Sequence, residues 1–143
     1  MPPPPSPVSS PDAWPAVWQA LRPQVLAQAA PRILTLTGEL GAGKTTLVKA
    51  IAADLGYDGD VTSPTFSLVQ EYPTPRGMIY HFDLYRLERI GEVLDLDFEG
   101  YLDAGYLTIV EWPAVAAPIL RAYAKTSLRI QHVTTGGREV VVL

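Results

Sequence analysis

The run Gly38-Glu39-Leu40-Gly41-Ala42-Gly43-Lys44-Thr45 matches G-x-x-x-x-G-K-[ST] at every fixed position, the pattern of a phosphate-cradling loop. A triphosphate is polyanionic, so enclosing it takes many fixed donors. Glycines let backbone N–H groups converge on phosphate oxygens with no Cβ in the way. A helix beginning at the end of the loop adds the partial positive charge of its N-terminus. Lys44 is then placed to bridge the β- and γ-phosphates, and the Thr45 hydroxyl to complete a Mg2+ shell. Leu40, Gly41, Ala42, Gly43, Lys44, Thr45 and Thr46 are the expected nucleotide contacts.

Such a loop needs an acidic partner for the metal, usually at the end of a neighbouring apolar strand. Leu107-Thr108-Ile109-Val110-Glu111 puts Glu111 in that place; its alternative is a solvated strand-end carboxylate. Ile79, His81 and Asp83 alternate onto one face of another strand, so Asp83 could reach the same site, or else cap a helix or pair with Arg86. His81 and His132 lie in strand-like patterns and read as hydrogen-bonded structural histidines. The hydroxyl-rich segment Val61-Thr62-Ser63-Pro64-Thr65-Phe66 stands where nucleotide switches place a γ-phosphate-sensing loop.

These side chains have to be held by a fold with strands feeding loops at one sheet edge. Asp12 is the expected N-cap of a first helix carrying Trp14, Val17, Trp18 and Leu21 on one face, with Pro23 kinking or ending it. Arg32–Thr37 is a buried strand, and Lys44–Leu55 an amphipathic helix stopped by Gly56. FSLVQEY and MIYHFDL flank PTPRG as a β-hairpin with a five-residue connection. Residues 86–104 read as helical and acidic, 107–110 as a second apolar strand and 113–123 as a helix, before a closing hairpin, SLRIQHV and REVVVL, turned by TTGG. Helices interleaved with buried strands predict an α/β three-layer sandwich, a mixed sheet with an antiparallel portion.

The chain has 143 residues, one domain's worth, with no cysteine, which excludes disulfide scaffolds and thiol nucleophiles. A net charge of −4 argues against an unaided grip on a nucleic-acid backbone, so any RNA is expected to be held by a partner. Seven of the fourteen prolines fall in the first fifteen residues, and residues 1–11 are expected to be a disordered tail ahead of a single domain over 12–143. No apolar run is long enough to span a membrane and no secretory signal is evident, so the expected location is cytoplasmic.

Three kinds of nucleotide protein fit the loop. A GTPase needs an N-K-x-D element, and the chain contains no asparagine; its one D-x-x-G match, Asp97–Gly100, falls in the acidic helical stretch. A small-molecule kinase would need a basic lid, but the arginines are scattered. The third kind is a small ATPase whose nucleotide state sets the shape of a loop for a protein partner.

Together, GELGAGKTT (38–46), TSPTFSLVQEY (62–72), HFDLYRL (81–87) and LTIVEWP (107–113) closely resemble the TsaE family, formerly YjeE, over roughly residues 12–143. The resemblance implies a cytoplasmic P-loop ATPase of tRNA N6-threonylcarbamoyladenosine (t6A) synthesis that binds ATP and Mg2+ and associates with the TsaB–TsaD pair. In that system TsaD transfers threonylcarbamoyl to adenosine 37 of tRNA, and ATP hydrolysis by the TsaE-like component is thought to reset the complex between turnovers. Carried over by motif, Lys44 contacts phosphate, Thr45 and Glu111 hold Mg2+, and Asp83 supports hydrolysis. Thr62, Ser63 and Thr65 resemble the family's switch-like loop, Trp112 its functional tryptophan, and Gly137 a residue near the base. The family's usual threonine near the adenine is absent; SSPDAWPAV instead offers Trp14 there. The loop at 62–66 and the acidic segment at 92–103 are the expected partner surfaces.

Overall fold

The two most apolar runs of the sequence lie side by side at the centre of one sheet. The computed structural model describes residues 6–8, 11–39, 43–64, 67–134 and 136–143. In chain order these form β1 (Ser6–Val8), α1 (Trp14–Leu26), β2 (Ile33–Gly38), α2 (Lys44–Asp54), β3 (Val69–Thr74), β4 (Gly77–Asp83), α3 (Ile90–Asp95), α4 (Phe98–Ala104), β5 (Leu107–Glu111), α5 (Ala117–Leu120), β6 (Thr126–His132) and β7 (Arg138–Val142). The strand order is β1-β7-β6-β2-β5-β4-β3. β6, β2, β5 and β4 run parallel, and antiparallel pairs close both edges.

The sheet is mixed because its middle is covered on both faces. One face packs Leu34, Leu36, Ile79, Ile109 and Leu128 against Trp18, Leu47, Val48 and Ile51 of α1 and α2. The other packs Ile33, Phe82 and Val110 against Val93, Phe98, Leu102 and Leu120 of α3 to α5. Every residue of β5 is buried, as expected of a parallel strand sandwiched between helices. β3 alternates less cleanly and carries Pro73, which an edge strand tolerates because its missing N–H opens no ladder gap inside the sheet. The result is the expected α/β three-layer sandwich. Among the described residues, no helix is long and apolar enough to cross a membrane.

Several local expectations are corrected. Ser6–Val8 pairs with β7 in register Ser6↔Val140 to Val8↔Arg138, so the proline-rich start is ordered there as an edge strand. Pro7 can take that position because the strand has a partner on one side only. Asp12 lies in a short 3-10 turn, Pro11–Ala13, and Ala13 is the N-cap of α1. α1 continues through Pro23 to Leu26, because tertiary packing of its apolar face outweighs one lost backbone hydrogen bond. The β3–β4 connection is two residues, Pro75-Arg76, since Pro73 and Thr74 pair with Met78 and Gly77. Residues 113–120 form a 3-10 turn, Pro113–Ala116, and the single-turn α5 in place of one long helix. The acidic stretch splits into α3 and α4 where Asp97 turns left-handed, with φ 55°.

α2 ends as the sequence predicts. Gly56 at φ +101° lets Tyr57 N–H reach Ala52 C=O at 2.9 Å and its own N–H reach Ala53 C=O at 3.2 Å, the paired bonds of a Schellman cap. The other helix on that face is tied to this end. Asp54 accepts hydrogen bonds from Trp18 Nε1 at 2.9 Å, Gln19 Nε2 at 3.0 Å and Arg22 Nε at 2.8 Å.

Candidate nucleotide site

β2 delivers the chain to the phosphate loop, and Gly43, at φ +110°, turns it into α2. A Cβ on Gly43 would lie 2.4 Å from the Trp14 ring, so this position is glycine for both conformation and space. Trp14 itself is 3% exposed. It lies buried beside the loop's exit into α2. Leu40, Gly41, Ala42 and Thr65 lie outside the described residues.

Lys44 opens α2 and is 6% exposed. Its Nζ donates to Gly38 C=O and, at 3.1 Å, to Glu39 C=O, folding it back across the loop. The ammonium also sits 4.6 Å from the centre of the Trp112 ring, a cation–π distance. Burial holds the Lys44 pKa below its ordinary value, and the charges of Glu111 and Asp83 oppose that shift. Thr45 and Thr46 follow in the first turn of α2, both half-buried.

The carboxylates come from two adjacent parallel strands. Asp83 and Glu111 are register partners at the carboxyl ends of β4 and β5, and β5 in turn pairs with β2, Leu36 opposite Glu111. Strand alternation then points Ile79, His81 and Asp83 to the same face as Ile109 and Glu111, the face that carries α2. Both acids are nearly buried, at 6% and 3% exposed. Burial raises the Asp83 pKa and the Glu111 charge raises it further, against the Tyr85 N–H bond at 3.0 Å and the charges of His81 and Lys44. The Tyr85 N–H bond to Asp83 belongs to a turn and not to a helix cap, since α3 begins only at Ile90 with Arg89 as its N-cap.

Glu111 is not free in this setting: His81 Nε2 lies 2.5 Å from its Oε2. His81 Nδ1 meets the Tyr72 hydroxyl at 2.9 Å, and that hydroxyl also donates to Thr62 C=O at 3.1 Å. Burial pushes the Tyr72 phenol up to about 12, so it keeps its proton throughout the physiological range. Sequence reasoning gave His81 only a structural reading and passed over Tyr72. The signal available was the alternation of His81 with Asp83, but no sequence rule pairs Tyr72 with it across the hairpin.

Trp112 follows Glu111 in a left-handed conformation at φ 55°, with its N–H on Leu36 C=O at 3.1 Å and its ring 5.0 Å from Tyr85. The indole Nε1 is buried with no hydrogen-bond partner among the described residues. Thr62 and Ser63 are exposed on the loop that leaves α2. Gly137 stands in the β6–β7 turn, at the same sheet end as the phosphate loop but with β6 between it and β2. The D-x-x-G match begins at the N-cap of α4, which packs on the opposite face of the sheet.

The donor set suits a magnesium–nucleotide. Among the described residues, no group of three or more His, Asp or Glu side chains could hold a metal by itself. Mg2+ takes one or two carboxylates and completes its shell with hydroxyl, water and phosphate oxygens, which Glu111, Asp83 and Thr45 would match beside a buried lysine.

The family model described as "Threonylcarbamoyl adenosine biosynthesis protein TsaE" matches residues 8–140. A protein named tRNA threonylcarbamoyladenosine biosynthesis protein TsaE from Haemophilus influenzae is 42% identical over 85 residues, 59% of this chain and 54% of that protein. Its namesake from Synechocystis is 45% identical over 96 residues, 63% and 60% of the two chains. These alignments thus cover little more than half of either relative's length. A crystal structure of Bacillus subtilis YdiB superposes with a TM-score of 0.66 at 27% identity, covering 96% of this chain and 82% of that one. With a seven-stranded sheet of this order and a family match across nearly its whole length, the chain belongs to the TsaE family.

Proposed function

We propose that this chain is the ATP-binding and ATP-hydrolysing component of tRNA t6A synthesis, acting in the cytoplasm on the TsaB–TsaD pair to sustain its turnover and meeting tRNA only through those partners. The observation that carries this reading is the convergence of Lys44, Asp83 and Glu111 at the start of α2, in a chain of the TsaE family.

In this reading the amides from Leu40 through Thr46 enclose the phosphates and Lys44 neutralises charge between them. Thr45 and Glu111 hold Mg2+, which when bound neutralises charge on the phosphate oxygens. Asp83 orients water for attack on the γ-phosphate. Its raised pKa comes from burial, the setting in which a carboxylate becomes a better proton acceptor. Thr62, Ser63 and Thr65 sense the γ-phosphate, Gly137 lies toward the base, and Trp112 offers its indole N–H to the bound ligand. Turnover by the isolated chain is slow, because the sequence places no obvious arginine finger.

A pull-down with TsaB and TsaD, with and without ATP and read alongside t6A formation, tests the assignment. ATP-dependent association and ATP-dependent t6A synthesis support it. Phosphoryl transfer to a small acceptor, with no association, would replace it with a kinase reading.

A further inference from the structure

Three buried polar side chains cross the sheet diagonally on the face of α2. Tyr72 on β3 is 2% exposed, His81 on β4 is 0% and Glu111 on β5 is 3%. Their contacts run without a break from the backbone of Thr62 to the carboxylate that the functional reading assigns to the metal: Thr62 C=O to Tyr72 at 3.1 Å, Tyr72 to His81 at 2.9 Å, and His81 to Glu111 at 2.5 Å.

The proton inventory makes this more than packing. The Tyr72 hydroxyl has one proton and two neighbours that can accept it, the Thr62 carbonyl and, in the tautomer that leaves it bare, His81 Nδ1. While the loop is in place the carbonyl competes for that proton. When the loop moves away, the proton passes wholly to Nδ1, which fixes the tautomer bearing Nε2–H toward Glu111. Partners of this kind orient a metal-binding carboxylate and tune its affinity. Tyr57, on the same loop, packs on Tyr72 with ring centres 5.0 Å apart, so displacement of the loop also unloads the phenol.

We propose that Tyr72 and His81 are positioning residues that tie the backbone of the 61–64 loop to the Glu111 carboxylate, so that loop position and magnesium affinity are set together. This rests on the reading of Glu111 as the metal-side acid. Coupling of this form is reciprocal: whatever the loop does to Glu111, occupancy at Glu111 does to the loop.

The test uses the full chain as wild type, Tyr72→Phe, Glu111→Ala and Tyr57→Phe, the last keeping the stacked ring as a control. Backbone order parameters are measured for Thr62, Ser63 and the β6 amides without nucleotide, and then the Mg2+ dependence of ATP hydrolysis. Tyr72→Phe is expected to lower order at Thr62 and Ser63 while β6 stays rigid, and to raise the half-saturating Mg2+ about 10-fold or more. Glu111→Ala removes the acceptor for Nε2–H and frees the tautomer bearing Nδ1–H, which leaves the Tyr72 proton wholly to the Thr62 carbonyl, so it is expected to raise order at the same two amides. Tyr57→Phe loses its 3.4 Å bond to Asp60 C=O but leaves the Thr62–Tyr72–His81–Glu111 contacts in place, so its Mg2+ dependence should match wild type. If Tyr72→Phe and Glu111→Ala leave Thr62 and Ser63 as ordered as wild type, or change β6 equally, the relay is wrong. A wild type that takes up no MgATP would instead overturn the functional reading, and the order parameters would still decide the relay.

Discussion

Asp83 and Glu111 face each other as direct partners on neighbouring parallel strands, both nearly buried, with the Lys44 ammonium close enough to feel both charges. Burial first, and then the Glu111 charge, raises the Asp83 pKa, while the Lys44 charge opposes the shift. The arrangement is costly for a resting fold and useful for a site that receives Mg2+ and polyphosphate. Its consequences can be measured separately for stability and for activity.

Asp83 has its pKa raised, chiefly by burial. Between the ordinary carboxylate value and that raised value the folded state holds a proton the unfolded state has released, so stability falls as pH rises through the window. Asp83→Asn keeps an oxygen for the Tyr85 N–H and removes this penalty. Thermal melts at neutral pH should show the variant at least as stable as wild type, with a flatter profile in the acid range. ATP hydrolysis should drop about 100-fold or more. A variant that was both active and less stable would contradict the assignment.

The Lys44 pKa is depressed, first by burial. The charged lysine is the form that meets phosphate, so nucleotide affinity should decline as pH rises, at a lower pH than an ordinary lysine would impose. A bound triphosphate restores the proton, so binding in that range takes protons up. Calorimetry in two alkaline buffers of different ionisation heat reads this uptake, and Lys44→Ala should abolish it.

Gly43 is constrained twice, by φ +110° and by the Trp14 ring 2.4 Å from where a Cβ would sit. Gly43→Ala should cost about 1–2 kcal/mol for the left-handed conformation and about 1–3 kcal/mol more for overpacking. Adding Trp14→Leu should relieve the packing part and leave the conformational part. Denaturant unfolding of the two single variants and the double variant separates them; strict additivity would mean that the ring does not support the loop.

Asp54 joins α1 to α2 through three donors. Burial raises its pKa, but the bonds from Trp18, Arg22 and Gln19 outweigh that and leave it below the ordinary value. This contribution is present above the unfolded carboxylate pKa and is lost as pH falls through the folded one. Asp54→Ala should destabilise by about 1–3 kcal/mol at neutral pH, largely because the Trp18 N–H loses its partner, and the difference from wild type should shrink in acid.

The acidic segment offers a cleaner interface probe in one residue than in another. Glu92 accepts the N–H groups of Glu88 and Arg89 at 3.1 and 3.2 Å, so it holds the start of α3. Asp95 is exposed on the same helix. Asp95→Lys should weaken association with TsaB–TsaD while ATP affinity is kept, whereas Glu92→Lys should lower the melting temperature as well. Equal partner binding by wild type and Asp95→Lys would remove this helix from the interface.

Both apolar strands, Glu111 at the end of one and Asp83 at the end of the hairpin strand were legible in the sequence because each rests on local rules: a period of two, an apolar run between helices. Helix ends were less so. α1 runs through Pro23 because Val17, Trp18, Leu21 and Val25 are buried against the sheet and α2, and that packing is invisible to a local propensity. Ser6–Val8 becomes a strand only because β7 presents an open edge. The Tyr72–His81–Glu111 contacts join residues up to 39 positions apart across three strands, and the hairpin register that aligns them was itself misjudged at its turn.

Titration calorimetry of the wild-type chain and Lys44→Ala with ATP in magnesium buffer tests the central claim most directly. Saturable binding to one site in the wild type, lost in Lys44→Ala and weakened when magnesium is chelated, is the predicted result. Heat of binding that is absent from folded wild type, or unchanged by the lysine substitution, would contradict it.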